Sequence, residues 1–153
     1  STSLRHELAA VDALLERRIF VSNSAIDMVD DLGGILAGVS VGLAFYEPDY
    51  SNPITGKNLQ YLGMSSGKIS TYLRYGIPVI LNETGLYADE ARRFGFGLVA
   101  GSPEHIAALL DRFHDATFSR AATKYFLEKL DFNAHRDRVW SGLSSLMTVS
   151  DGS

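Results

Sequence analysis

The chain contains no cysteine, which excludes a disulfide framework and any thiolate metal site and suits a reducing cytoplasm. It also lacks positive charge in excess. Fourteen Lys and Arg face eighteen Asp and Glu, a net charge of -4 with no basic stripe, so an electrostatic nucleic-acid binder is excluded and no nucleic-acid partner is expected. Long apolar runs are missing too: the longest, around "GVSVGLAFY", falls short of the roughly 20 residues a membrane-spanning helix needs. The first residues, "STSLRHELAAV", lack the layout of a signal peptide and do not begin with Met, so the numbering is expected to start inside a longer chain. The four histidines, His6, His105, His114 and His135, are too dispersed for a zinc site and read as exposed helix residues. No Asp-x-Asp metal motif is present.

What the chain does have is enough apolar content, 46% of 153 residues, to bury one core, and a single domain over 1–153 is the expectation. Four short apolar runs stand out: "RIFVSN" (18–23), "VSVGLAFYE" (39–47), "GIPVILN" (76–82) and "FGLVAG" (96–101). They are continuous rather than alternating, as in parallel strands covered on both faces. Helical patterns separate them. "LRHELAAVDALLERR" leads, "AIDMVDDLGGILAG" follows the first run, and "KISTYLRY" and "LYADEARRF" flank the third. After the fourth run, "SPEHIAALLDRFHD" places Ser102 at an N-cap and Pro103 at the first helical position, with Ile106, Leu109, Leu110 and Phe113 at helical spacing. Two more helices, "RAATKYFLEKL" and "AHRDRVWSGLSSLMTV", close the chain, and the apolar stripe Trp140, Leu143, Leu146 and Met147 on the last one is expected to pack onto the sheet layer unless another domain takes part of it. Alternating strands and helices imply an α/β fold, a doubly wound parallel sheet with flanking helices.

The stretch "LGMSSGKIS" (62–70) resembles a phosphate-gripping loop only superficially. A P-loop needs glycine five residues before Gly67, where Leu62 stands, and a hydroxyl after Lys68, where Ile69 stands. A simpler device remains. Ser65 and Ser66 are N-cap candidates for a helix opening with Gly67 and Lys68, whose free amides and dipole favour an anion while the lysine adds a point charge. An ordinary capped helix with a solvated lysine fits the same residues. The segment before it, "EPDYSNPITGKNLQYLGMSSGK", is long for a connection inside a compact domain and leaves the C-terminal end of a strand, where open α/β sheets place ligands. Tyr46 just before it and Tyr50 and Tyr61 within it, with Asn52 and Asn58, suit a sugar or a base.

The residues Gly67, Lys68, Thr71, Tyr72, Leu73, Gly76, Pro78, Val79 and Ile80, in "GKISTYLRYGIPVI", resemble the "N-K-x-x-E-Y-L-x-x-G-x-P-V-I" stretch of glycosyltransferases with the GT-B fold. "ETGLYADEARRFGFGLVAGSPEHIAALL" continues the likeness, which covers about residues 17 to 115. The resemblance implies the nucleotide-sugar-binding C-terminal half of that fold, a Rossmann-like domain. It further implies metal-independent transfer of a sugar from a nucleotide diphosphate donor, with no cofactor, to a glycan or lipid-linked acceptor. By the same analogy the helix at Gly67 points its amides at the diphosphate, Lys68 offsets the leaving group's charge, and Ser22 and Asn23 sit where the base lies. The chain departs from the pattern at Thr71 and Gly63, where retaining members carry glutamates, and Glu47 could supply a carboxylate instead. The expected donor-binding set is therefore Ser22, Asn23, Glu47, Asn58, Ser65, Ser66, Gly67, Lys68 and Thr71.

No acceptor domain and no strand before Leu4 are present, so the chain is expected to be a fragment that does not transfer sugar alone. A cytoplasmic location is expected, peripheral to a membrane if the acceptor is lipid-linked, although no amphipathic basic helix compels it. Two other readings stay open. A non-enzymatic α/β signalling domain would want an aspartate at a strand end, where this chain has Asn23, Glu47, Asn82 and Gly101. A GT-B-like epimerase would share the anion site and differ only in its product.

Overall fold

A computed structural model describes residues 32–46, 50–51, 65–83 and 85–149. The chain divides into two compact units, 1–35 and 36–153, and apart from one helical turn, α1 (Gly33–Leu36), the described elements belong to the second. The expected strand at 18–23 and the leading helix lie outside the described residues.

The second unit is α/β. Among the described residues three strands, β1 (Gly42–Ala44), β2 (Val79–Asn82) and β3 (Gly97–Ala100), form a parallel sheet in the order β1-β2-β3. The register places Gly42, Leu43 and Ala44 opposite Val79, Ile80 and Leu81, and those opposite Gly97, Leu98 and Val99. The strands are shorter than the apolar runs that announce them. Continuous hydrophobicity matches burial on both faces only at the central strand, where Val79, Ile80 and Leu81 are all buried. On β1, Leu43 is 47% exposed, which corrects the expectation that every strand is covered on both sides. Among the described residues nothing packs over that side chain fully.

Helix α2 (Gly67–Arg74) connects β1 to β2, and α3 (Gly85–Phe94) connects β2 to β3. In α2 the side chains Ile69 and Leu73, one turn apart, are buried against the sheet. The helix ends as the sequence suggests. Gly76 has φ +69°, its amide bonds the Leu73 carbonyl at 3.0 Å, and the Ile77 amide bonds the Tyr72 carbonyl at 2.9 Å, the paired bonds of a Schellman turn. Pro78 then leads directly into β2. The Tyr72 ring lies over β1 so closely that a Cβ at Gly42 would stand 2.4 Å from it, so only glycine fits there. The core joins Ala44, Val79 and Leu81 of the sheet to Ile69 and Leu73 of α2, Tyr87, Ala88 and Ala91 of α3, and Ala122 and Tyr125 beyond.

The segment after β3 breaks into pieces. A 3-10 turn (Pro103–His105), α4 (Ile106–Leu110) and a second 3-10 turn (Asp111–His114) replace the single regular helix expected over 102–115. Ser102 does occupy the N-cap with Pro103 at the first position, but its side chain makes no capping bond, and Leu110 is 45% exposed. Helix α5 (Ala116–Tyr125) begins earlier than its apolar pattern, capped by Asp115, whose carboxylate accepts from the Thr117 amide at 2.8 Å. It widens into a π-helical turn (Phe126–Leu130), closed by the Asp131 amide on the Phe126 carbonyl. The final helix, α6 (Phe132–Val149), overturns the expectation of a stripe packed on the sheet. Trp140, Leu143, Leu146 and Met147 are 50 to 72% exposed, and among the described elements the main contacts of α6 are with the π-helical turn.

Candidate functional site

The C-terminal ends of β1 and β2 and the amino end of α2 converge at one edge of the sheet. Parallel strands put their carboxyl ends on the same side, and the crossover helix returns from there, so this convergence follows from topology. Ser66 is the N-cap. Its backbone is extended (φ -71°, ψ 102°) and its hydroxyl accepts the Ile69 amide at 3.3 Å. The cap is only 3% exposed, so its oxygen needs partners within the protein, and the Tyr46 hydroxyl lies 2.7 Å away. Ser65, Gly67 and Lys68 are exposed, and a Cβ at Gly67 would meet nothing within 4 Å. Among the described residues nothing covers the helix tip at Gly67. Thr71 lies one turn beyond Lys68, half-buried.

Tyr46 is held from below as well. Its amide donates to Asn82 Oδ1 at 3.1 Å, and Asn82 Nδ2 donates to its carbonyl at 2.6 Å. A side-chain amide has the same donor and acceptor pair as a peptide, so Asn82 continues the β1–β2 ladder two residues past Ala44 after regular pairing has ended. The fixed Tyr46 ring then carries Lys68, whose Nζ stands 5.3 Å from the ring centroid. Tyr87 packs nearby in the core, and burial, with a smaller contribution from Tyr46, pushes its phenol up from 10.0 to about 12. No protein-family model matches the chain, and no curated protein or solved structure gives a match.

The first turn of α2 contains no acidic residue, although carboxylates are the side chains that stabilise a helix amino end. Instead it carries Lys68, the less favourable sign for that end, and among the described residues the lysine forms no ion pair. Nearby Arg92 is occupied. It grips Glu83, the residue after β2, through both terminal guanidinium nitrogens, Nη1 and Nη2, and that hydrogen bonding holds the Glu83 carboxyl below its usual range.

The structure thus brings Ser66, Gly67 and Lys68 together at one helix tip, with Ser65 just before and Thr71 one turn along. Ser22, Asn23, Glu47 and Asn58 lie outside the described residues. Of the loop residues offered for a sugar or base, Tyr50 is 68% exposed, while Asn52 and Tyr61 are outside the described set. Sequence reasoning missed two contributions. Asn82 was noted only as a strand end, and Tyr46 only as a loop aromatic, because the pairing that joins them spans 36 residues. The available signal was the asparagine itself, a peptide mimic at the mouth of a strand. Among the described residues no group of three or more metal-ligating side chains forms, and no helix is long and apolar enough to cross a membrane.

Proposed function

We propose that this chain is the donor-binding lobe of a GT-B type glycosyltransferase, taking the diphosphate of a nucleotide sugar at the amino end of α2 without a metal ion. The observation that carries the reading is the Ser66-capped tip of α2, uncovered among the described residues, where a cation replaces the expected carboxylate at the C-terminal edge of a parallel sheet. An anion there would meet the positive end of the helix dipole and offset the unfavourable sign of Lys68 at once. In a transfer reaction the same groups stabilise the departing nucleoside diphosphate as its charge grows. A glycan or lipid-linked acceptor would be presented by a second lobe, since one lobe alone cannot hold donor and acceptor at reacting distance.

Calorimetric titration with UDP, GDP and ADP in chelator tests the reading. At least one nucleotide binds, and Lys68→Ala weakens it by about 10- to 100-fold, the range for losing one charge-assisted hydrogen bond. Binding that is indifferent to Lys68, or absent for all three nucleotides, overturns the assignment.

A further inference from the structure

We propose that Asn82 is the positioning residue of this anion site: by clamping the backbone of Tyr46 it fixes the aromatic platform that aims Lys68 and the hydroxyl that secures the Ser66 cap. This rests on the reading above for its ligand, but the geometry stands apart from it. Regular β1–β2 pairing stops at Ala44 and Leu81. Beyond that point a chain leaving a strand is free to diverge, yet Tyr46 is held at both its amide and its carbonyl by one side chain, at 3.1 and 2.6 Å. Only one orientation of the Asn82 amide satisfies both bonds, so the residue reads as a specific clip.

Two consequences leave Tyr46 by different routes. Its hydroxyl reaches Ser66 Oγ at 2.7 Å and so couples the end of β1 to the cap of α2. Its ring lies under Lys68 Nζ at 5.3 Å and restricts a side chain that otherwise explores many rotamers. A lysine held in place loses less entropy when it meets an anion than one sweeping through solvent, and this is how a residue that need not touch the ligand alters its affinity. The clamp bonds the Tyr46 backbone, so replacing the tyrosine side chain leaves those two bonds available while deleting both routes.

The test separates the clamp from the ligand. Protein carrying 13C-labelled lysine has four lysines, Lys57, Lys68, Lys124 and Lys129, and an aromatic ring beneath an ammonium shifts the adjacent methylene protons upfield. The Lys68 methylene is expected upfield of Lys124, and Lys129, which lies over Phe94 at 5.7 Å, is an internal reference untouched by the clamp. Asn82→Ala moves the Lys68 signal to the position of a solvated lysine and leaves Lys129 in place. Asn82→Asp does the same at neutral pH, because a carboxylate cannot donate to the Tyr46 carbonyl, and recovers as acid restores a donor. Inorganic pyrophosphate then reads the effect on binding. Asn82→Ala weakens it roughly fivefold, the size of one ordinary hydrogen bond, and the same change made on top of Tyr46→Leu adds nothing further.

A Lys68 signal indifferent to both Asn82 variants overturns the clamp. So do additive losses in the double variant. Should Asn82→Ala fail to fold, the acid recovery of Asn82→Asp decides. If wild-type protein binds no pyrophosphate, the donor-site reading fails while the response of the Lys68 signal still judges the clamp.

Discussion

The Tyr125 hydroxyl donates to Glu90 at 2.8 Å, a bond that ties α5 to α3 across 35 residues and holds a phenol within the core. The Tyr125 ring packs at 4.4 Å from Phe96 and 5.1 Å from Phe94, and only 2% of the residue meets solvent. Burial first, and then the bond to Glu90 and the charge beside it, raise the Tyr125 phenol well above its ordinary value of 10.0. Tyr87, also buried, is pushed up to about 12.

Alkaline stability follows from these two phenols. Each has a folded value above its unfolded value, so its stabilising contribution is complete below pH 10 and is lost as pH rises from there, through about 12 for Tyr87. Urea denaturation at stepped pH should show stability falling steeply above pH 10. Tyr125→Phe, although it loses about 1 kcal/mol at neutral pH through its missing hydrogen bond, should flatten that decline. An unchanged alkaline slope in both Tyr87→Phe and Tyr125→Phe would refute the assignment.

Ser66→Ala should destabilise the protein by about 1 to 2 kcal/mol, since it removes a cap and the polar partner of the Tyr46 hydroxyl from a nearly closed position. Ser65→Ala, on the exposed residue just before, should cost less. Equal midpoints for the two variants in chemical denaturation would contradict the capping assignment.

Gly76→Ala meets two obstacles. The backbone at φ +69° costs a residue with a Cβ about 1 to 2 kcal/mol, and that Cβ would stand 2.8 Å from Thr123 Oγ1. Thr123→Ala should relieve the contact but not the backbone cost, so the double variant recovers only part of the loss. Full recovery would show that conformation was not limiting.

Trp140 is the single tryptophan and is 70% exposed on α6, so its emission should be that of a solvated indole, readily quenched by acrylamide. Trp140→Ser should shift stability by no more than about 0.5 kcal/mol, whereas Leu73→Ala, fully buried, should cost about 2 to 5 kcal/mol. A blue-shifted, protected emission would mean that the stripe is covered in solution.

The parts legible in advance were those encoded over short distances. Ser66 before a helical pattern, and Gly76 after one, announce α2 because a cap and a left-handed turn each involve residues within one or two helical turns. The runs at 76–82 and 96–101 announce β2 and β3 for the same local reason. The fate of α6 was different. Its apolar stripe has the spacing of a packed helix, yet spacing states only that a face is apolar and never what lies opposite.

The sequence by itself determined the α/β alternation, the start and end of α2 and the placing of Lys68 in its first turn, because backbone preferences and hydrophobic period are properties of neighbouring residues. Only the tertiary structure decided that Asn82 clamps Tyr46, that Tyr46 carries Lys68, and that the stripe on α6 stays open. Those depend on which strand ends lie side by side and which surfaces meet, and pairing across dozens of residues is fixed by the packing of the whole unit rather than by any local signal.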